Sequence, residues 1–185
     1  FSDFTVVTRD RPGLFSKLTG VLTANGMNIL GARITTSGGG TAIDVFRVSH
    51  PDQTGVVQND GRWDRIESAV GHVLSGELDV ENLVAAARRP SVLGERFVPR
   101  VGTKVEIDNE VSADFTVVDI YTQDRVGVLF AITNALYHLG LSVHLAKITT
   151  HLDQVLDVFY VTDAGGGKIE EAAALDRVRS SVLAA

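Results

Sequence analysis

Two short segments carry the residue types from which a small-molecule site could be built. Asp10-Arg11-Pro12-Gly13-Leu14-Phe15 and Asp124-Arg125-Val126-Gly127-Val128-Leu129 each set an acid, a base and a glycine ahead of an apolar run. A turn of this kind, leading from a strand into a helix, leaves backbone N–H groups free at the helix start, where the helix dipole adds partial positive charge. A carboxylate suits such a place. Gly13 and Gly127 carry no side chain, so a ligand can come close to the main chain. Asp10 or Asp124, with strand-edge carbonyls, could accept hydrogen bonds from an ammonium group. Asn28, or Ser142 in the second segment's neighbourhood, could hold a side-chain amide, with Ile29 and Val143 beside them. The chemistry implied is non-covalent recognition of an amino acid. Plainer roles fit the same residues: the acids can cap helices, the glycines can simply permit the turn, and Asn28 can serve turn geometry. The residues alone leave both readings open.

Chemistry of other kinds finds less support. Of the histidines that invite a metal reading, His138 falls on a helix, while His144 and His151 stand seven apart on a strand and so face opposite ways. No carboxylate completes a ligand set, and no metal or cofactor is expected. No Gly-x-Ser-x-Gly nucleophile turn occurs. Gly165-Gly166-Gly167-Lys168 lacks the leading glycine and the following Ser/Thr of a phosphate loop, and reads as a flexible loop with an exposed lysine. With no convergent acid, base, nucleophile or metal set, the chain is not expected to be catalytic. A net charge of -6, with nothing more basic than Arg88-Arg89, speaks against a nucleic-acid partner. The absence of cysteine rules out disulfides and thiolate chemistry. No apolar run approaches the roughly 18 residues of a membrane span, and no signal peptide is visible. The expected location is cytoplasmic. The chain opens on Phe1 and runs straight into a strand-like segment, which predicts a piece of a longer protein.

What positions the two turns is an internal repeat. The register that carries Asp10 to Asp124 also carries Gly26 to Gly140, Ile29 to Val143, and Ala32-Arg33-Ile34-Thr35-Thr36 to Ala146-Lys147-Ile148-Thr149-Thr150. Asp44-Val45-Phe46 then matches Asp157-Val158-Phe159 with one residue deleted between. In the first copy, Phe4–Thr8 alternates as a strand, and Leu14, Leu18, Val21 and Leu22 share one face of a helix with Asp10 as its cap. Val128, Ile132, Ala135 and Leu136 repeat that spacing. Gly26 and Gly140 stand where a left-handed helix end belongs. Asn28–Thr36 and Thr41–Ser49 follow as strands joined at Ser37-Gly38-Gly39-Gly40, with Leu30, Ala32 and Ile34 facing the helices. A second helix near Arg62–Ser75 gathers Trp63, Ile66, Val70, Val73 and Leu74; its counterpart, near Ile169–Leu183, gathers Leu175, Val178 and Val182. Asp79–Arg89 predicts an added short helix, Ser91–Arg100 a linker, and Val101–Ile107 the closing strand of the first unit. The second unit then lacks a clear fourth strand. The predicted class is α+β: two ferredoxin-like β-α-β-β-α-β units, antiparallel sheets with helices on one face, residues 1–109 (including the insertion and linker at 79–100) and 110–185.

The Asp-Arg-x-Gly turn, a downstream Gly26-Met27-Asn28-Ile29 and this element order together resemble the ACT domain family. The tandem layout, with an Ala-Arg-Ile-Thr-Thr strand and an Asp-Val-Phe strand, is similar to the C-terminal region of the bifunctional uridylyltransferase/uridylyl-removing enzymes that act on the PII signal protein. That resemblance implies a regulatory module binding an amino acid, glutamine foremost, and switching nucleotidyltransferase and hydrolase domains upstream in the parent chain. It also implies PII as a partner through that parent, with homodimerisation open. Val126 in place of the turn proline and Ser142 in place of Asn28 imply that the two copies need not bind equally. The alternatives are an amino-acid-sensing region of a biosynthetic enzyme and an interaction module that binds no ligand.

Overall fold

The computed structural model describes residues 1–50, 55–58, 61–87, 102–123, 125–151 and 154–185. Asp124, Arg88-Arg89 and the expected linker lie outside them.

The first unit runs β1 (Ser2–Arg9), α1 (Leu14–Ala24), β2 (Asn28–Thr36), β3 (Thr41–Ser49) and α2 (Arg62–Ser75), with α3 (Val80–Ala87) appended. The second runs β4 (Lys104–Asp108), β5 (Thr116–Gln123), α4 (Val128–His138), β6 (Ser142–His151), β7 (Gln154–Thr162) and α5 (Ala172–Ala184). The first sheet is antiparallel in the order β1-β3-β2, the second in the order β4-β5-β7-β6. Ala42, Asp44, Phe46 and Val48 alternate onto the covered face of β3 and are all buried, while Thr41, Ile43 and Arg47 between them are exposed, the period of two that a half-covered strand demands. Leu14, Leu18, Val21 and Leu22 of α1 are buried against that face, and Gly26 and Gly140 both take φ 75 where helices α1 and α4 end.

Two expectations need correction. The segment expected to close the first sheet instead completes the second: Lys104–Asp108 pairs antiparallel with β5, from Lys104 opposite Tyr121 to Asp108 opposite Val117. The second sheet therefore has its fourth strand, delivered from ahead of the unit rather than after α5. Asn109 sits just past β4. Its side chain donates to the Ile169 carbonyl at 2.8 Å and accepts from Thr116 Oγ1 at 2.6 Å, tying the new edge to β5 and to the approach to α5. Leu30 does not face the helices either. The pairing of β2 with β3 shifts between Ile29 and Gly31, and this bulge turns Leu30 outward while Ile29, Ala32 and Ile34 pack inward. The same shift recurs in β6 between Val143 and Leu145.

The two units pack through α1 and α4. Thr19 and Thr133, equivalent positions of the repeat, meet hydroxyl to hydroxyl at 3.0 Å, both buried. Ser16 and Asn134 join at 3.3 Å beside them. Gly20 allows the closeness: a Cβ there would fall 2.3 Å from Val80 and 2.8 Å from the Phe130 ring. Alongside the helices, edge strands β2 and β6 of the two sheets approach, with the position of a Gly31 Cβ 3.7 Å from the Ile148 carbonyl oxygen. A pseudo-twofold axis between Thr19 and Thr133 therefore relates the units.

A candidate ligand site between the repeats

The pseudo-twofold axis decides which residues meet. Each turn faces the strand start of the other unit, and the first turn also shares its cavity with Ile34 and Asp44 of its own sheet. Asp10, Arg11, Gly13, Leu14 and Phe15 line a cavity of about 200 Å3 together with Leu141, Ser142, Val143 and His144 from the start of β6 and Thr133 and Tyr137 from α4. Arg125, Gly127, Val128 and Leu129 meet Met27, Asn28 and Ile29 around a reciprocal cavity of about 60 Å3. At roughly 30 Å3 per water, the second holds about two waters, the first a volume on the scale of a free amino acid. The two sites differ in their furnishing: Ser142 lines the first where the larger Asn28 lines the second.

Helix α1 starts at Leu14 on a left-handed Gly13 (φ 73), and no side chain caps it. Asp10 is not the cap that its position suggests. Its backbone N–H donates to the Gly40 carbonyl at 2.9 Å and its carboxylate accepts from Thr36 Oγ1 at 3.1 Å, pinning the turn to the β2–β3 hairpin. Helix α4 repeats the geometry on Gly127, φ 83, again without a side-chain cap. The Leu14 N–H donates to the Arg11 carbonyl at 3.1 Å, so among the first-turn N–H groups of α1 those of Phe15 and Ser16 keep their capacity for an anionic partner at the cavity. Gly13 is required twice over, by its left-handed backbone and because a Cβ would stand 2.7 Å from the Tyr137 ring. At Gly127 the symmetry-related neighbour is Thr23, 3.4 Å from the same hypothetical atom.

The arginines of both turns have structural partners. Arg11 Nη1 donates to the Leu74 carbonyl at 2.7 Å and Arg125 Nη2 to the Ala185 carbonyl at 2.6 Å, each joining its turn to the last turn or end of the unit's second helix. A guanidinium there also complements the negative end of the helix dipole.

Several lining residues, Tyr137 and Leu141 among them, were not singled out by sequence reasoning, and two bear most on the chemistry of the site. His144 occupies the bulge of β6 and lines the cavity. Its Nε2 lies 2.9 Å from Thr162 Oγ1 and its ring packs on Phe115, centroids 5.1 Å apart. Asp44, on the covered face of β3, is 1 % exposed and neither carboxylate oxygen has a hydrogen-bond partner. Burial, and after it the negative charge of Asp10, pushes its carboxyl up to about 7. The repeated Asp-Val-Phe marked this position in the sequence, but only as an anchor for the register.

The other polar motifs serve the scaffold. His138 Nε2 pairs with Glu81 at 2.7 Å, and Asn134 donates to the same carboxylate oxygen at 3.2 Å, joining α3 to α4. These hydrogen bonds, from Asn134 and then His138, hold Glu81 below its ordinary value. Lys168, expected on a flexible loop, instead donates to the carbonyls of Asn109 at 2.6 Å and Ser112 at 2.7 Å, while Asp163 accepts the Gly165 and Gly167 N–H groups and closes the glycine loop on itself. Among the described residues no three His, Cys, Asp or Glu side chains gather as a metal site, and no helix is long and apolar enough to cross a membrane.

Comparison with known proteins agrees with this arrangement. The family model of the ACT domain matches residues 4–60 and 116–179, one match per repeat. The bifunctional uridylyltransferase/uridylyl-removing enzyme of Rhodospirillum rubrum is 38% identical over 185 residues, 100% of this chain and 19% of that protein. The enzymes of the same name from Azospirillum brasilense and Gluconobacter oxydans are each 35% identical, over 98% and 99% of this chain and again 19% of their own length. This chain thus spans about a fifth of the length of those relatives. With two matched regions, each a helix-covered antiparallel sheet entered through the same glycine turn, the chain belongs to the ACT domain family.

Proposed function

We propose that this chain is the amino-acid-sensing regulatory module of a bifunctional uridylyltransferase/uridylyl-removing enzyme, and that its ligand is glutamine. The observation that carries the reading is the cavity in which the uncapped start of α1 meets Ser142 and His144 of the other repeat. The ligand carboxylate sits on the Phe15 and Ser16 N–H groups at the start of α1, where helix-start donors and dipole act together. Asp10, Gly13, Leu14 and Phe15 shape that end. Ser142, Val143 and His144 face the side chain, whose amide both donates and accepts and so matches a hydroxyl and an imidazole. The reciprocal site of Arg125, Gly127, Val128, Leu129, Asn28 and Ile29, with Asp124 expected beside it, takes ligand weakly or not at all because its cavity is too small.

Because the ligand touches both repeats, its binding free energy favours the arrangement that closes the cavity. It shifts the parent enzyme by its difference in affinity between the two states, and by no more. The upstream nucleotidyltransferase and hydrolase domains of the parent chain receive that shift, and the PII signal protein is the substrate through which it reaches nitrogen metabolism in the cytoplasm. The unit boundary that fits the strand pairing lies ahead of Lys104, so that β4 stays with the sheet it completes. Titration calorimetry with glutamine, against glutamate, serine and threonine, tests the assignment: selective heat with glutamine is expected, and a preference for another amino acid would move the chain to a different parent enzyme.

A further inference from the structure

The cavity contains one group that the family turn does not account for. Asp44 lies on β3, opposite Val6 of β1 and Ile34 of β2, beneath the start of α1. The α1 residues that share the cavity wall with it are Leu14, Phe15 and Ser16, none of which titrates. The charged or titratable groups that share the cavity wall are Asp10 and Arg11 from the β1–α1 turn, Tyr137 from α4 and His144 from β6. Arg11 is directed to the Leu74 carbonyl and Asp10 to Thr36, so no cation on the wall is paired with Asp44. A buried carboxylate without a hydrogen-bond partner costs stability, and a packed apolar side chain would fill the same place on the strand at no such cost.

We infer that Asp44 is the acceptor for the cationic nitrogen of the ligand in this cavity, so that the site selects zwitterionic amino acids over the corresponding acids without an amino group. The inference rests on the sensor reading above and deepens it. The helix start and Asp44 form the two poles of the site: N–H donors for a carboxylate, and a carboxylate for an ammonium. With the cavity empty of a cation, burial and Asp10 keep much of Asp44 protonated near neutral pH. The ligand ammonium keeps its own proton. It pairs with the carboxylate, and the proton leaves Asp44 for solvent. Binding is therefore linked to proton release and strengthens as pH rises.

The test is calorimetric titration of the chain with glutamine at pH 6, 7 and 8, in buffers of different ionisation enthalpy. For one group titrating near 7, the wild type should weaken about tenfold from pH 8 to pH 6 and release about half a proton per ligand at pH 7. Asp44→Asn, close in size, should bind at least about tenfold more weakly at pH 8 and lose the pH slope, since a charge-assisted contact is gone. His144→Gln should keep the slope, which separates Asp44 from the histidine on the wall. The proton count on the wild type needs no variant to fold, and a thermal melt of Asp44→Asn reports whether that variant does. Glutamine binding without proton release, or an Asp44→Asn protein with wild-type affinity and slope, would overturn the role of Asp44 and leave the sensor intact. Absence of binding by the wild type to any amino acid would overturn both.

Discussion

At the scale of single residues, the two turn glycines make a controlled comparison. Both sit in the left-handed region, where a Cβ costs about 1–2 kcal/mol. Only Gly13 also faces an aromatic ring at overlapping distance. Gly13→Ala should therefore lower the urea midpoint more than Gly127→Ala, and should also weaken ligand binding, because Tyr137 must leave the cavity wall to make room. Asp44 gives a second prediction at this scale. Its carboxyl is raised from 3.8 to about 7 by burial and by Asp10. Between those values the unfolded chain gives up its proton and the folded chain keeps it. The contribution is thus full below about 4 and is lost as pH rises through about 7. Urea unfolding of the ligand-free chain at pH 4.5 and 7.5 should show the wild type losing more stability over that interval than Asp44→Asn. An equal pH dependence in the two would mean that Asp44 is ionised and stabilised in some other way.

At the scale of elements, the turn sequences and helix stripes were legible because they follow from local rules. Leu14, Leu18, Val21 and Leu22 can only form one buried face, and Gly26 and Gly140 end their helices as expected. What escaped was non-local. The strand at Lys104–Asp108 reads the same whichever sheet it joins, and its partner β5 is chosen by packing rather than by pattern. The bulges in β2 and β6 break the alternation on which inward and outward assignments depend, so Leu30 was misplaced and His144 was not foreseen in the cavity. The strand pairing carries its own prediction: a fragment of residues 102–185 should be more stable to urea, and slower to exchange the β5 amides, than a fragment of residues 110–185, which has lost one sheet edge. Helix packing carries another. Gly20→Ala pushes a methyl against Val80 and Phe130, and overpacking of this kind costs about 1–3 kcal/mol. Circular dichroism melts should show that loss, and because α1 must move off α4 the ligand cavity should open with it.

For the whole molecule, the repeat was plain in the sequence but the way its copies exchange parts was not. The repeat register places Asn28 with Asp10 and Ser142 with Asp124, and a pocket where the paired units meet follows from bringing the two turns together, but not which turn meets which strand start. The pseudo-twofold axis through Thr19 and Thr133 instead gives each turn the other unit's strand start. The two repeats differ at Ser142 against Asn28 and at Tyr137 against Thr23, and their cavities differ in volume, about 200 Å3 against about 60 Å3. On the proposed reading, a chain of this design would report a single ligand through the relative placement of its two halves, as a regulatory module must to domains elsewhere in its protein.

The most direct test of that account is the stoichiometry of glutamine binding by titration calorimetry on this chain. One glutamine per chain, selective over glutamate, serine and threonine, and abolished or strongly weakened by Gly13→Ala but not by Gly127→Ala, is the result predicted. Two equivalent sites, or a single site lost through Gly127→Ala and spared by Gly13→Ala, would contradict it.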